Sequence, residues 1–411
     1  MRVVCIYNYS TMDRRAFLKS AVAVGVPAVA VTTSSHGATG SVADDQTAPE
    51  QSTTIQRGRR IVQQAAYDDG SIPSNSPAYE QIAGKVDRET VETILASRVV
   101  TERLSERLQE SDVAFDDLSV SKRYEDTEIQ LFVEYPQDAA DEWQALIETA
   151  CEEFRSELAE THQSRLADRN LEIKHRQRPP SHPEYGCEST VGRFADAQYR
   201  DYGIAMGAAV RSETLGEIAS SGFRGLREGH AVIVTTAHTF ETDDDQEASE
   251  LRGAELYQSR RPHAIGRCHA VGRDYGPGVD AAAVAVGPEE YPSRLLAEPG
   301  GDSYYDEPIV GTASWELLET HLAEDRPIYK QGAVTGRCEG RIIELREFSE
   351  GYRELDVDIH SDGGDSGGPY FVRGEEGLLV AAIHKGVRTN GSERRAIFVD
   401  SVCESLGIDL Y

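Results

Sequence analysis

The sequence predicts a mainly β fold preceded by a smaller α+β region. Three observations carry this. From Gly186 onward, short apolar or β-branched runs alternate with Gly-rich turns, at residues 202–210, 231–236, 281–286, 340–345, 355–359, 369–372, 378–384 and 396–399. Many short strands at fairly even spacing point to a sandwich or a pair of barrels. Before Gly186, apolar residues instead recur at helical spacing. Between the two regions, Pro179, Pro180 and Pro183 hold residues 176–185 extended and mark a domain boundary.

The chain has 411 residues, room for about two or three domains. Its first 36 residues read as an export leader. Arg14-Arg15 with Phe17-Leu18-Lys19 precede an apolar run over 21–31, too short to span a bilayer comfortably, and resemble a twin-arginine translocation signal. No later segment is apolar enough to cross a membrane, so the product is expected to be secreted. Residues 37–60 are polar and read as a disordered linker.

Residues 61–180 form the α+β region. Ile82, Val86, Val91, Ile94, Leu95, Val99, Leu104 and Leu108 predict a helix over 77–110. Two alternating runs around Glu125-Asp126 predict a hairpin over 118–135. Trp143, Leu146, Ile147, Cys151, Phe154 and Leu158 share one face of a second helix over 139–170, and 171–175 returns as a strand. The main β region runs over 186–411 and closes with a short helix over 401–408.

The net charge is −29, with only six lysines. That balance argues against a nucleic-acid partner, which needs clustered cations. The acid is spread along the chain, a pattern that resembles proteins of extreme halophiles, whose self-repulsion is screened by salt. Of the six cysteines, Cys5 lies in the leader. Cys187, Cys268, Cys338 and Cys403 permit three pairings, among which the sequence does not choose. No C-x-x-C pair suggests a metal.

One stretch organises the rest: I-H-S-D-G-G-D-S-G-G-P-Y at 359–370. Glycines flank one serine, so Ser366 can be projected from the loop. The amides of Gly364 and Ser366 can converge on an oxyanion. A serine hydroxyl needs an adjacent base, and the base needs an orienting group. His238 ends the β-branched run V-I-V-T-T-A-H. Asp280 precedes the apolar run A-A-A-V-A-V, where a lone carboxylate is costly without a partner.

Together these motifs resemble the trypsin/chymotrypsin-like serine peptidases, over residues 186–411. The segment Y-K-Q-G-A-V-T-G at 329–336 is similar to the bacterial streptogrisin branch. The resemblance implies a chymotrypsin-like double β-barrel with His238, Asp280 and Ser366 as a catalytic triad, in chymotrypsin order. It also implies an oxyanion hole at Gly364 and Ser366, and an endopeptidase acting on protein or peptide through an acyl-enzyme, with no cofactor and no metal. The chain departs from the family at Thr239 and Asp362, where cysteines are usual, so disulfides do not carry over. Two rivals remain open: a silent binding module on the same fold, and an esterase.

The resemblance further implies that 61–180 is a pro-region, an inhibitor or folding aid cut away between Arg176 and Glu188. A permanent accessory domain and an unrelated α+β domain are the other readings. His360, Ser361 and Asp362 are expected on one wall of the specificity pocket, and the strand over 380–386 on the other. That strand, V-A-A-I-H-K-G, resembles that of glutamyl endopeptidases, which implies an acidic pocket made by His384 and Ser361 with Lys385 adding positive potential. A small or apolar pocket with a structural His384 is the competing reading.

Overall fold

The computed structural model describes residues 52–63, 78–110, 119–125, 128–135, 145, 147–153, 170–177, 181–182, 203–213, 217–241, 250–258, 263–272, 279–287, 292–298, 304–348, 351–388 and 393–410. The leader and residues 37–51 lie outside them.

In front come β1 (Ser52–Gln63), β2 (Ala78–Asp87), helix α1 (Arg88–Glu110), β3 (Ser119–Glu125), β4 (Glu128–Tyr135), β5 (Asn170–Gln177) and the short β6 (Ser181–His182). The expected hairpin is β3–β4, and the expected returning strand is β5, which runs parallel to β4. Residues 147–153 are helical, within the expected second helix.

Two expectations need correction. Ser52–Arg60, read as linker, belongs to β1. Its polar side chains gave no strand signal, but its backbone pairs on both edges, with β2 and with a strand at Ile309–Ala313. Residues 78–87, read as the start of a helix, form β2. Gly84 sits under the Arg57 side chain, which crosses the bare backbone there; a Cβ would lie 1.8 Å from Nε and would push the arginine aside.

A first group of strands follows: β7 (Ile204–Met206), β8 (Ala209–Ser212), β9 (Ala219–Ser220), β10 (Arg224–Arg227), β11 (His230–Thr235), β12 (Glu255–Gln258), β13 (Ala264–Val271), β14 (Ala282–Val286) and β15 (Pro292–Leu296). Seven of these join the last strand of the chain, β23 (Asp409–Leu410), in the order β23-β10-β11-β14-β13-β12-β8-β9. They enclose Ile233, Phe240, Leu256, Ile265 and Val284. Strand β14 reads A-A-V-A-V, and its small side chains let it lie at the centre of this layer.

The second group comprises β16 (Ile309–Ala313), helix α2 (Trp315–Ala323), β17 (Pro327–Gly332), β18 (Gly336–Phe348), β19 (Arg353–Asp358), β20 (Pro369–Arg373), β21 (Leu378–Arg388), β22 (Arg394–Phe398) and helix α3 (Val399–Leu406). Here β17 pairs β18, β18 pairs β19, β19 pairs β22, β22 pairs β21, β21 pairs β20, and β20 returns to β17. Six strands thus close a barrel with no free edge inside it. The expected fold is found: mainly β, a chymotrypsin-like double barrel with one closed and one half-open barrel.

The front strands continue the closed barrel's sheet. Strand β3 pairs antiparallel with the end of β18, and β1 pairs with β16, giving a sheet of thirteen strands. Ile61 of β1 packs in the same apolar core as Leu345, Phe371 and Ile397 of the barrel. A second front core forms between α1 and the hairpin, from Leu104, Leu108, Leu131, Val133 and Ile173.

Candidate active site

Strand register brings His238 and Asp280 together. Antiparallel β11 and β14 pair Thr235 with Ala282. His238 follows three residues after Thr235, in a short 3-10 turn over Ala237–Thr239, and Asp280 stands two residues before Ala282. The two side chains therefore meet at the same end of the strand pair. His238 Nδ1 lies 2.6 Å from Asp280 Oδ2. The other carboxylate oxygen accepts the amides of Ala237 and His238, at 2.8 and 3.1 Å. Both oxygens are thus used and the imidazole plane is fixed. His238 Nε2 lies 3.4 Å from the Thr236 hydroxyl, and the ring is 4% exposed.

Burial alone would raise the Asp280 carboxyl. The adjacent His238 and its hydrogen bonds outweigh burial and hold the group below the usual carboxylate range. Asp280 is therefore ionised at neutral pH and acts only as an acceptor. The His238 nitrogen that faces this acceptor, Nδ1, is therefore the donor of the pair.

Ser366 sits where the two barrels meet. Its carbonyl accepts the Ser220 amide at 2.7 Å, and the Ser220 hydroxyl donates to the Gly364 carbonyl at 2.9 Å. On the other side, the Gly367 amide donates to the His384 carbonyl and the His384 amide to the Gly368 carbonyl, both at 2.8 Å. The turn is packed tightly. Gly367 has φ +87°, and a Cβ there would lie 2.4 Å from both the Ser220 carbonyl and the Thr235 hydroxyl, and 3.2 Å from the Thr236 amide. This backbone thus lies against the strand end that carries His238. Gly364 has φ +100°, and a Cβ would meet Val334 at 2.6 Å, so both conformation and space require glycine.

Asp365 anchors this loop from within. Its carboxylate pairs with Lys330, and both side chains are 0% exposed. It also accepts the amides of Val334 and Thr335 at 3.0 Å and of Asp362 at 3.2 Å. Burial pushes the carboxyl up, but Lys330 and the Thr335 hydrogen bonds outweigh that and lower it. The sequence contains both residues, in two separate motifs, without showing that they pair.

The expected pocket residues divide. His360 is exposed, whereas Ser361 and His384 are buried. His384 Nδ1 lies 3.0 Å from the Tyr370 hydroxyl. Lys385 pairs with Glu354 at 2.8 Å. The positive potential expected of it is thus matched by a buried carboxylate. A cation not singled out in the sequence stands here instead: Arg394, whose Nε donates to the Ser361 hydroxyl. Nothing in R-R-A-I-F distinguishes it from any strand arginine. Cys268, Cys338 and Cys403 carry free thiols.

The fold and the strand ends that carry these side chains define a chymotrypsin-like double barrel. No family model matches the chain, and no curated protein matches it. Solved structures do match. Thermobifida fusca Protease A aligns at 17% identity and a TM-score of 0.34, over 51% of this chain and 98% of its own. A glutamic acid specific serine protease, described as using a novel histidine triad in substrate binding, aligns at 19% and 0.37, over 51% of this chain and all of its own. An alpha-lytic protease homolog, N4, aligns at 18% and 0.34 with the same coverage.

Proposed function

We propose that this chain is an exported serine endopeptidase, with Ser366 as nucleophile, His238 as general base and Asp280 as the orienting carboxylate. The observation that carries this is the 2.6 Å contact of His238 Nδ1 with an Asp280 whose other oxygen is held by two amides. The arrangement sets the tautomer that a base needs. His238 Nε2 takes the proton as Ser366 Oγ attacks a peptide carbonyl. Asp280 stabilises the imidazolium that forms. The amides of Gly364 and Ser366 receive the oxyanion, and removing one such donor typically costs on the order of 10²–10³ in rate. The amine leaves with the proton from His238, and water then releases the acyl group.

Mass spectrometry of protein recovered from the medium tests this, wild type beside Ser366→Ala. Both are expected there without the leader. Only wild type is expected to hydrolyse casein and to take up a serine-directed phosphonate. Asp280→Asn is expected to keep the fold and slow turnover by about 10⁴. Undiminished turnover by Ser366→Ala protein, freed of host proteases, overturns the assignment. Retention of the precursor inside the cell overturns export alone.

A further inference from the structure

Lys385 stands where the strand pattern calls for an outward residue. His384, its neighbour in β21, is fully buried. Side chains of a regular strand alternate between its two faces. Lys385 is nevertheless buried as well, at 7% exposure. The register accounts for this. His384 pairs with Ala396 of β22 and Gly386 with Arg395, so two steps along β21 match one step along β22. Lys385 is the extra residue of a β-bulge, and a bulge re-aims the side chain it carries.

The ammonium is seated on Glu354 of β19, which is 1% exposed, at 2.8 Å. Burial raises the Glu354 carboxyl, and Lys385, Arg395 of β22 and Arg346 of β18 outweigh burial and lower it. Both arginines are shared with Asp356, at 3.6 and 2.7 Å. Arg346 also pairs with Glu344 and with Glu134 of β4. On its other side Lys385 faces the catalytic pair. The His384 backbone bonds Gly367 and Gly368, and Gly367 lies against Thr235 and Thr236. The next amide, that of Ala237, is held by Asp280. The bulge and the Asp280 carboxylate therefore meet across Gly367. Burial raises the Asp280 carboxyl, and His238 and then Lys385 lower it. Glu217, partly exposed, is a further carboxylate within range of His238. His384 itself faces the neutral Tyr370 hydroxyl.

Stability does not call for this lysine. A buried ion pair exchanged for apolar side chains is often neutral or stabilising. A cation beside Asp280 has a chemical effect instead. It favours the carboxylate, and it opposes a second cation nearby, the imidazolium of His238. We propose, on the reading that Ser366 is a peptidase nucleophile, that Lys385 is a positioning residue for the catalytic pair: its ammonium, turned inward by the bulge and seated on Glu354, holds Asp280 as the anion and opposes protonation of His238. The base then stays available at lower pH than the Asp280 carboxylate alone would allow.

The test reads the pH profile of phosphonate uptake by Ser366, using protein recovered from the medium. The second-order rate constant of that reaction follows the unprotonated base and needs no knowledge of the preferred substrate. At 1 M KCl the screening length is about 3 Å, so distant surface charges contribute little. Between about pH 4 and pH 9, Lys385→Met is expected to move the acid limb of the profile up by about one pH unit, because His238 then takes a proton more readily. Glu354→Gln leaves the ammonium unopposed and is expected to move the limb down by about the same amount. Loosened packing would not shift the limb in opposite directions. Lys385→Met combined with Glu354→Gln leaves neither charge alone; the nearer, cationic charge is lost, so its limb is expected above that of wild type. Coincident limbs, or two single-variant shifts of one sign, overturn the inference and leave the peptidase reading standing. Wild-type protein that does not label at any pH overturns both. Where a single variant does not fold, the double variant decides, and a limb at the wild-type pH overturns the inference.

Discussion

Lys330 and Asp365 are both fully buried, and neither faces solvent that could replace the other. A buried charge that loses its partner typically costs about 3–5 kcal/mol. Lys330→Met should therefore destabilise the protein by about that much, and it should loosen the Ser366 turn, which hangs from the Asp365 carboxylate. The pH dependence follows from the lowered Asp365 carboxyl. Its contribution is present above the ordinary carboxylate value and is lost as pH falls through the lower, folded value. Without Lys330 the folded value rises toward the ordinary one, so less stability should be lost as pH falls. Urea unfolding at pH 7 and at a pH below the ordinary carboxylate value, in a Ser366→Ala background that prevents self-digestion, measures both effects. An unchanged midpoint would show that the pair does not stabilise the fold. What the sequence revealed at this scale follows a simple physical division. Asp280 was legible because a carboxylate opening an apolar strand demands a partner. Ser366 and Gly364 were legible because only glycine permits that turn. The Lys330–Asp365 pair and Arg394 were not, because long polar side chains find partners across strands that are distant in sequence.

Helix α2 shows why the front region and the barrel behave as one element set. Ser314 caps it by accepting the Leu317 amide at 3.1 Å, a short signal in S-W-E-L-L set among β-patterned runs. Its Glu319 is 0% exposed and pairs with Lys122 of β3 and with Arg98 of α1, the latter at 2.8 Å through Nε. Arg346 of the barrel likewise joins Glu134 of β4 at 3.0 Å. These pairs sit beside the β3–β18 and β1–β16 ladders, so a cut between residues 183 and 202 severs none of them. The two pieces of cleaved protein are expected to co-elute in gel filtration at 1 M salt, with Lys122→Met weakening their association, and less than loss of both Lys122 and Arg98 would, because Arg98 still partners Glu319. Separate elution of the wild-type pieces under native conditions would refute the clasp. β1 was hidden in the sequence for a related reason: a strand held by its backbone edges need not be apolar.

Over the whole molecule the net charge of −29 is the dominant long-range term. At 0.1 M salt the screening length is about 10 Å, and at 1 M about 3 Å. Repulsion among surface carboxylates should fall accordingly, so the melting temperature of Ser366→Ala protein is expected to rise between 0.1 and 2 M KCl. A flat or falling curve would refute the reading of the acidic surface as adaptation to salt. The β1–β16 ladder, described above as a structural join, also has a meaning in time. Arg59 waits for Thr312, and Gly225 for Leu410 at the end of the chain. A ribosome has to complete almost the whole polypeptide before these sheets can finish, and such distant pairings form slowly. Ser366, with 45 residues still to follow it, is therefore translated well before its loop has a finished scaffold to lean on. On the proposed function, the unfinished chain has no assembled site with which to cut anything.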